Sequence, residues 1–286
     1  MATANQALLL CAGLGSRLRP LTNFIPKCLA PISGIPLLEI WLARLVSKGF
    51  DRIVINVHHH KELVIDFLVD SPWHSRVTLV DEVELLGTAG TLKANANLFD
   101  RKSPILLAHG DNLTAFDVTD FSRCHFNRPA NTDITMLSFI TDNPQSCGIV
   151  ECDETQILRG FYEKLRDPPG NVANGAVYIL DQNVVDFVCE LPGDVLDFST
   201  QVIPRFLGRI FVYSNRLYHR DIGTMQSWRM SQQEFPRYAL PPRRKESYAG
   251  YFRTPEKLGK LLGANSDPAG SYLLDPLESS SLKASI

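Results

Sequence analysis

Short apolar runs alternate with helical patterns through the first half of the chain. The runs at 7–11, 52–57 and 104–108 are apolar at nearly every position and too short for helices, so they predict strands buried on both faces of a sheet. Between the first two runs, a helical stripe begins at Pro36 and ends just before Gly49. Strands and helices in this order predict an α/β fold with a mostly parallel sheet covered on both faces.

Shorter patterns complete the predicted order of elements. A helix capped by Asp197 or Ser199 is expected late in the chain, because both side chains can accept a hydrogen bond from a helix N-terminus. Strands are predicted at 77–80, 134–140, 174–180 and 210–213, and helices at 61–68, 87–97 and 197–203.

The first apolar run ends in a turn that combines glycines with cations. Gly13 and Gly15 allow backbone N–H groups to approach a ligand closely, and Arg17, Arg19 and Lys27 follow them. This combination predicts a site for a polyphosphate. The turn is not a P-loop, which ends in Gly-Lys-Ser/Thr before a helix, and it lacks the three glycines of a dinucleotide-binding fingerprint.

A carboxylate follows the third buried run. Asp111 lies just beyond the run at 104–108, where the carboxyl end of a central parallel strand meets the ligand-binding edge of an open sheet. A hard oxygen anion at that edge suits Mg²⁺ that bridges phosphates. The triplet His58, His59 and His60 is interpreted as a loop, because three consecutive side chains cannot all point at one ion from a strand or helix.

Composition narrows the class of protein. The chain has 286 residues, of which 44% are hydrophobic and 21% charged, as in an ordinary globular protein. Lysine and arginine number 29 against 31 acids, so no nucleic-acid surface is indicated. Six cysteines lack metal-ligand spacing, and there is neither a signal-peptide pattern nor an apolar run of about 18 residues. We therefore expect a cytoplasmic protein that binds no membrane.

Several motifs together resemble one enzyme family. Residues 10–22, LCAGLGSRLRPLT, with Pro26 and Lys27 downstream, resemble the signature of sugar-1-phosphate nucleotidyltransferases, which is usually Gly-x-Gly-Thr-Arg followed by Pro-Lys. This chain has Ser16 in place of the threonine, a change that removes no cation. Further similarities lie at 86–90 (LGTAG), 110–111 (GD), 147–151 (CGIVE), 163–164 (EK), 174–180 (NGAVYIL) and 221–224 (DIGT).

The resemblance implies a fold and a division of the chain. The family has a Rossmann-like three-layer α/β/α, GT-A-like fold with a mixed, mostly parallel central sheet, and we expect residues 1–235 to form this nucleotidyltransferase domain. The composition then changes, because prolines and a basic run dominate residues 236–286. That stretch is predicted to be a Pro-rich C-terminal extension with one short helix near 255–262. No hexapeptide repeat of an additional β-helical domain is present.

The resemblance also implies roles for individual residues. Catalysis would depend on the cations and carboxylates that meet the phosphates, with Asp111 and Asp221 as the ligands of Mg²⁺. The implied catalytic residues are Arg17, Lys27 and Asp111. The implied nucleotide-binding residues are Leu10, Ala12, Gly13, Leu14, Gly15, Ser16, Glu82, Gly87, Thr88 and Gly90. The implied sugar-phosphate-binding residues are Gly148, Glu163, Lys164 and Asn174.

Two of these assignments set conditions on the backbone. Adjacent residues of a strand point in opposite directions, so Glu163 and Lys164 can serve one sugar phosphate only where the strand ends or bends. Asn174 is followed by Gly-Ala where the family has Ala-Gly, which leaves the local backbone path open. The segment 87–90 is expected to offer free N–H groups and close packing for a flat ring.

The implied partners are a nucleoside triphosphate and a sugar 1-phosphate, and the resemblance also implies oligomerisation, with a homodimer as the simplest form. The segment at 82–90 resembles the mannose-1-phosphate guanylyltransferase branch, and a carboxylate from Glu82 or Glu84 could accept both N–H donors on guanine's Watson–Crick edge. The acceptor could be mannose 1-phosphate or a manno-heptose 1-phosphate. A uridylyl- or thymidylyltransferase and a non-catalytic nucleotide-sugar-binding subunit remain as alternatives.

Overall fold

The strands follow the apolar runs of the sequence. The computed structural model of the chain describes residues 4–241, together with the backbone of two short strands at 264–266 and 272–274. In chain order the strands are β1 (Gln6–Leu10), β2 (Pro31–Ile32), β3 (Ile35–Pro36), β4 (Arg52–Val57), β5 (Val77–Asp81), β6 (Ile105–His109), β7 (Asn112–Ala115), β8 (Ile134–Ile140), β9 (Gly148–Cys152), β10 (Leu158–Glu163), β11 (Val172–Leu180), β12 (Ile210–Ser214), β13 (Tyr218–Asp221), β14 (Ala264–Ser266) and β15 (Tyr272–Leu274).

The α-helices are likewise bounded by recognisable signals. Pro36 begins the first of them and Thr224 caps the last, where its hydroxyl accepts from the N–H of Ser227. In chain order the helices are α1 (Leu37–Val46), α2 (Lys61–Val69), α3 (Gly87–Ala94), α4 (Val118–Asn127), α5 (Gln182–Glu190) and α6 (Met225–Glu234).

One mixed sheet organises the described residues. Its nine strands include the path β10-β9-β11-β6-β1-β4-β5, and β8 pairs with both β11 and β12. The half containing β6, β1, β4 and β5 is parallel, whereas β11 runs antiparallel to β6, β8 and β9. The predicted mixed, mostly parallel central sheet is therefore confirmed.

Helices cover both faces of the sheet. One apolar cluster packs α1, α2, α4 and α6 against one face, with Trp41 and Trp228 fully buried in it. A second cluster packs α3 and α5 against the other face, around Tyr178 and Phe198. Burial of these large side chains stabilises each interface by roughly 2 kcal/mol or more per residue. This arrangement is the predicted three-layer α/β/α architecture.

Several elements were not predicted from the sequence. The two-stranded ribbon of β7 and β13 was not predicted, because each of its strands is only four residues long. The helices α4 and α5 were not predicted either. The predicted helix at 197–203 is a π-helical turn, Phe198–Val202, followed by a short 3-10 helix, Ile203–Phe206. Its cap is Asp197, as expected, and Pro204 interrupts the hydrogen-bond ladder because it has no N–H.

The C-terminal part of the chain is described only in its backbone. β14 and β15 pair as antiparallel strands. The short helix expected near 255–262 lies outside the described residues. Of the helices at positions 4–241, none is both long and apolar enough to span a bilayer.

Candidate active site

The glycine-bearing turn after β1 folds back onto Lys27. Gly15 has a φ of 60°, and a Cβ there would lie 2.8 Å from the Thr22 methyl carbon and 3.2 Å from the Cβ of Lys27. The hydroxyl of Thr22 donates to the Gly15 carbonyl at 2.8 Å. Only glycine fits this left-handed, crowded position, so the turn brings its backbone directly against the lysine.

Lys27 lies between two carboxylates that are distant in sequence. Its side chain is 7% exposed, and its ammonium donates to Asp111 Oδ2 at 3.1 Å and to Asp221 Oδ1 at 2.7 Å. Arg17 reaches Asp221 from the solvent side, with Nη2 at 3.3 Å from Oδ2. Arg19, expected in the same group of cations, is exposed and makes no ion pair with the residues of 4–241. The structure therefore brings together Arg17, Lys27, Asp111 and Asp221.

The ribbon of β7 and β13 explains why the two aspartates meet. Asp111 lies in the turn between β6 and β7, and Asp221 is the last residue of β13. Antiparallel pairing sets Asp221 opposite Asn112, the residue directly after Asp111. The side chain of Trp41 supports this turn by donating to the Asn112 carbonyl at 3.0 Å. Backbone pairing therefore fixes the separation of the two carboxylates.

Burial and charge act in opposite directions at this cluster. Burial alone would lower the pKa of Lys27, but Asp111 and Asp221 outweigh it and raise that pKa above its usual value. Burial would raise the pKa of Asp221, yet the charges and hydrogen bonds of Lys27 and Arg17 bring it below the ordinary range. The cluster therefore holds a charged ammonium and a charged carboxylate at neutral pH.

Two histidines flank the carboxylates. Burial lowers the pKa of His219 to about 3, although Asp221 acts to raise it. Burial also lowers the pKa of His109, and Asp111 only partly offsets this effect. Nδ1 of His219 lies 2.8 Å from the hydroxyl of Thr114. Both rings are neutral at pH 7 and add no charge to the site.

The cluster has the chemistry of a divalent-cation site. Two hard carboxylate groups converge on one point, where the Lys27 ammonium already provides a positive charge between them. Nowhere in the described part of the chain do three or more His, Cys, Asp or Glu side chains gather in a metal-binding group. Mg²⁺ is commonly bound by one or two carboxylates plus substrate phosphates and water, so Asp111 and Asp221 fit it.

The residues of the turn after β1 differ in their exposure to solvent. Leu10 and Ala12 are buried, with 8% and 4% of their surfaces exposed, whereas Leu14 is 45% exposed. Gly13 is exposed, and a Cβ on it would lie 3.9 Å from Asp111 Oδ2. Ser16 is exposed at the start of a short 3-10 helix. The predicted nucleotide-binding turn therefore borders the carboxylate cluster.

The start of α3 corrects one expectation. The N–H groups of Ala89 and Gly90, which were expected to be free, donate to the Leu196 carbonyl at 2.9 and 3.1 Å. A Cβ on Gly90 would lie 2.2 Å from the Asp194 carbonyl oxygen, and the hydroxyl of Thr88 accepts from the Phe198 N–H at 2.7 Å. The small residues therefore permit close packing of protein backbone, because the segment at 194–198 supplies acceptors for the helix N-terminus.

Glu82 is buried, and one of its carboxylate oxygens accepts two hydrogen bonds. Oε1 accepts from Thr91 Oγ1 at 2.5 Å and from Asn56 Nδ2 at 3.0 Å, and the residue is 6% exposed. A two-oxygen contact of Glu82 with guanine is therefore disfavoured in this geometry. Glu84 is exposed. Sequence reasoning missed Asn56, whose signal was a polar residue inside the otherwise apolar run at 52–57.

The predicted acceptor side lies on β9 and β10. β10 ends at Glu163, and Lys164 follows with a φ of 49°, so the required end of the strand is present. The bend lets the Lys164 ammonium pair with Glu163 Oε1 at 2.8 Å, and the lysine side chain is 65% exposed. Gly148 lies opposite Glu163, where a Cβ would approach Glu163 Oε2 to 2.7 Å. Gly148, Glu163 and Lys164 thus form one group.

Asn174 lies at a distortion of β11. The pairing of β11 with β8 shifts between Asn174 and Tyr178, and Ala176 has a φ of 52°. The Asn174 side chain accepts from the Ala176 N–H at 3.0 Å and donates to the Tyr178 hydroxyl at 2.6 Å. Gly175 packs against Leu137, where a Cβ would lie 2.5 Å from Cδ2. The Gly-Ala order therefore produces a bulge that Asn174 stabilises.

Comparison with known proteins identifies a family that the chain matches. The sequence profile of one family, described as "Nucleotidyl transferase", matches residues 6–236. The chain is 29% identical over 227 residues to a mannose-1-phosphate guanylyltransferase of Mycobacterium tuberculosis, covering 78% of this chain and 62% of that protein. It is 26% identical over 257 residues to a glucose-1-phosphate adenylyltransferase of Fervidobacterium nodosum, covering 82% of this chain and 62% of that protein.

A solved structure shows the same architecture. HddC from Yersinia pseudotuberculosis, in complex with GMP-PN, superposes with a TM-score of 0.68 at 25% identity, covering 81% of this chain and all of that one (100%). The chain spans about three fifths of the length of the curated relatives described above, 62% in each case.

Proposed function

The chain belongs to the nucleotidyl transferase family, as its motifs predicted, and from this we propose that it transfers a nucleotidyl group from a nucleoside triphosphate to a sugar 1-phosphate. The observation that carries the proposal is the meeting of Asp111 and Asp221 on the Lys27 ammonium, with Arg17 beside them. Opposed charges at one point on the ligand-binding edge of the sheet suit a reaction between two polyanions.

The reaction requires positioning more than proton transfer. An oxygen of the sugar 1-phosphate attacks the α-phosphorus, a new P–O bond forms, and the bond between the α-phosphorus and the bridging oxygen breaks to release pyrophosphate. The attacking oxygen is already an anion, so no side chain must remove a proton from it. The main obstacle is the repulsion between two highly charged substrates, which nearby cations reduce.

Each cation has a proposed place in this reaction. Arg17 is exposed and can swing toward the β- and γ-phosphates, where it would stabilise the charge on the departing pyrophosphate. Lys27 is held rigidly by its two carboxylates and would contact the α-phosphate region. Lys164 would pair with the incoming sugar phosphate. The glycine turn, with Leu10, Ala12 and Ser16 around it, would bring backbone N–H groups to the triphosphate.

Asp111 and Asp221 would hold Mg²⁺, and their carboxylate chemistry fits that ion. When bound, Mg²⁺ neutralises phosphoryl oxygens and makes the α-phosphorus more electrophilic. The chain's own contribution is to hold the two carboxylates at a fixed separation, through the pairing of β7 with β13. Lys27 donates a hydrogen bond to each of them and orients both toward the same point.

We further propose GTP and mannose 1-phosphate, or a manno-heptose 1-phosphate, as the substrates. The names of the relatives support this choice, since the Mycobacterium tuberculosis protein is a mannose-1-phosphate guanylyltransferase and the Yersinia structure contains a guanine nucleotide analogue. The similar identity to an adenylyltransferase favours ATP and glucose 1-phosphate as the second candidate. Glu163 and Asn174 would bond the sugar hydroxyls, and neither side chain by itself selects the sugar.

Pyrophosphate release measured with each of four nucleoside triphosphates, across a panel of sugar 1-phosphates, tests the proposal. We expect release with GTP and a manno-configured sugar phosphate, and a loss of at least about 100-fold in turnover in Asp111→Asn. Asp51→Asn is the control, because Asp51 is an exposed surface residue. Absence of release with every pair, or near-normal turnover in Asp111→Asn, would contradict the proposed function.

We retain two proposals about the whole chain. Residues 1–235 would form the catalytic domain, with 236–286 as an extension; the family match over 6–236 supports this division. The resemblance also implies a homodimer, and sedimentation velocity would detect it as a particle of two chains. A particle of one chain at micromolar concentration would contradict that second proposal.

A further inference from the structure

We propose that Asn56 is a positioning residue that ties the glycine-bearing turn after β1 to the N-terminal end of α3, and so fixes two walls of the nucleotide pocket relative to each other. The inference rests on the proposed function for the identity of that pocket. Asn56 is 3% exposed and lies near the end of β4, between Leu10 of β1 and Val80 of β5 in the sheet register.

The first contact of Asn56 anchors the root of the turn. Its Oδ1 accepts from the backbone N–H of Cys11 at 2.6 Å, directly after the last pair of the β1–β4 ladder. From the other neighbouring strand, the N–H of Gly110 donates to the Leu10 carbonyl at 3.0 Å. The turn therefore leaves the sheet with its first peptide group held from both sides, because a side chain replaces the missing backbone partner.

The second contact reaches the opposite wall. Asn56 Nδ2 donates to Glu82 Oε1 at 3.0 Å and approaches the Thr91 hydroxyl at 3.3 Å. Thr91 belongs to α3, and its hydroxyl lies 2.5 Å from Glu82 Oε1 and 2.9 Å from the Gly87 carbonyl. The link therefore runs from Cys11 through Asn56 and Glu82 to Thr91 of α3, and both of its ends border the segments expected to bind the nucleotide.

The network explains why position 56 carries an amide. The Asn56 side chain must accept from the Cys11 N–H through its oxygen and donate to the Glu82 carboxylate through its nitrogen. Among side chains of this length, only that of asparagine carries both groups. Glu82 is buried, and within residues 4–241 its carboxylate takes part in no ion pair. Its hydrogen-bond donors are Asn56, Thr91 and the Leu86 N–H at 3.5 Å. Loss of one donor leaves a buried carboxylate undersatisfied.

The substitution Asn56→Asp tests this role with little change of shape. The new carboxylate still accepts from Cys11 but faces Glu82 without a donor, so the two walls should separate. We expect the KM for the nucleoside triphosphate to rise at least about tenfold, with the KM for the sugar 1-phosphate within about twofold of the wild type. The double variant Asn56→Asp/Glu82→Gln restores one donor and one acceptor and should recover most of the loss.

Gln6→Glu is the matched control. Gln6 is also a buried amide, 1% exposed, but it lies at the opposite end of β1, where it bonds the backbone of Asp100 and Ser103 at 2.8 Å. The control should lower the thermal midpoint and leave the ratio of the two KM values unchanged. If Asn56→Asp does not fold, Thr91→Val removes one hydroxyl from the same network and is measured in the same way.

The outcomes separate the two proposals. A wild-type protein that releases no pyrophosphate with any substrate pair overturns the proposed function. An active wild type in which Asn56→Asp raises both KM values equally, or in which adding Glu82→Gln fails to rescue, overturns the positioning role. Isothermal titration of the nucleoside triphosphate into each variant makes the same comparison without turnover. We expect a weaker affinity for the nucleoside triphosphate in Asn56→Asp, and not in the double variant or in Gln6→Glu.

Discussion

At the residue scale, Lys27 is the most constrained cation of the site. Its ammonium contacts both Asp111 and Asp221, and only 7% of its side chain is exposed. A buried lysine without partners would lose its proton, but the two carboxylates raise its pKa instead. Removal of Lys27 would therefore leave two negative charges facing each other across a short distance.

Lys27→Met should lower turnover by about 100-fold or more, because the reaction loses a fixed positive charge beside the phosphates. The folded protein should also become more sensitive to Mg²⁺, since the metal would then be the only cation between Asp111 and Asp221. Thermal midpoints with and without Mg²⁺ measure this effect, and a larger increase is expected in the variant than in the wild type. Lys61→Met, which removes an exposed lysine bonded to Asp81 at 2.5 Å, is the control. Equal Mg²⁺ responses in Lys27→Met and the wild type would contradict the expectation.

Some residue-scale predictions were possible from the sequence because a local rule decided them. Because adjacent residues of a strand point in opposite directions, the strand had to end or bend at Glu163, and it does end there. The role of Asn56 could not be predicted, since its partners are Cys11, Glu82 and Thr91, which are 45, 26 and 35 residues away. A polar residue in a buried strand indicates a partner without indicating which one.

At the scale of elements, the proposed binding side for the sugar 1-phosphate depends on close contact between β9 and β10. Gly148 lies opposite Glu163 in the register, and its missing side chain leaves room for Glu163 and Phe161. The sequence implied a sugar-phosphate-binding role for Gly148. It did not indicate the neighbour, because the register of two strands depends on the loop between them as well as on their patterns.

Gly148→Ala should raise the KM for the sugar 1-phosphate by about tenfold and leave the KM for the nucleoside triphosphate near its wild-type value. The added Cβ would lie 2.6 Å from Phe161 Cζ and 2.7 Å from Glu163 Oε2, so Glu163 must move. Steady-state kinetics with each substrate varied in turn measure both constants. In Gly170→Ala, the control, the added Cβ meets no atom within 4 Å, and the kinetics should not change. An unchanged KM in Gly148→Ala would show that Glu163 does not bind the sugar.

The ribbon of β7 and β13 shows the limit of sequence reasoning at this scale. Residues 112–115, NLTA, are too short and too mixed in polarity to predict a strand, although all four are buried. The motif at 221–224 (DIGT) implied the carboxylate of Asp221, and in the structure Thr224 caps α6. Only the pairing of Asp221 with Asn112 across the chain places the two aspartates together.

At the scale of the whole molecule, a buried polar cluster lies apart from the proposed site. His125 of α4 is 1% exposed, with Nδ1 at 3.0 Å from the Thr135 hydroxyl and Nε2 at 3.2 Å from Asp181. Burial lowers the pKa of His125, the interaction with the Asp181 carboxylate acts to raise it, and the charge of Arg128 lowers it further. The ring is therefore neutral in the folded protein at pH 7.

Acid should destabilise the fold through His125. Because its folded pKa lies below the ordinary value of about 6.5, the unfolded chain binds more protons, and stability present above about pH 6.5 is lost as the pH falls. Urea unfolding between pH 7 and pH 5 should show a slope steeper in the wild type than in His125→Asn, by at most about 1.4 kcal/mol per pH unit. His74→Asn, at an exposed position, should retain the wild-type slope. Identical slopes in His125→Asn and the wild type would exclude this contribution.

The limit of the catalytic domain can be tested by truncation. α6 closes the apolar cluster on one face of the sheet, with Trp228 and Phe235 exposed by 1% and 4%. The indole of Trp228 also donates to the Pro31 carbonyl at 2.9 Å. A chain that ends at Leu240 keeps all of these contacts, so its thermal midpoint and turnover should be close to those of the full chain. A large loss of either would assign a part of the site or of the core to the extension.

The sheet changes direction between β6 and β11, and the two proposed substrates fall on different sides of that line. The proposed triphosphate side is anchored to strands that run parallel. The proposed sugar side is anchored to β9, β10 and β11, in which neighbouring strands run antiparallel, and within residues 4–241 β9 and β10 join the rest of the sheet through β11. Under the proposed function, the strands that select the sugar could therefore change during evolution without a change in the strands that hold the triphosphate.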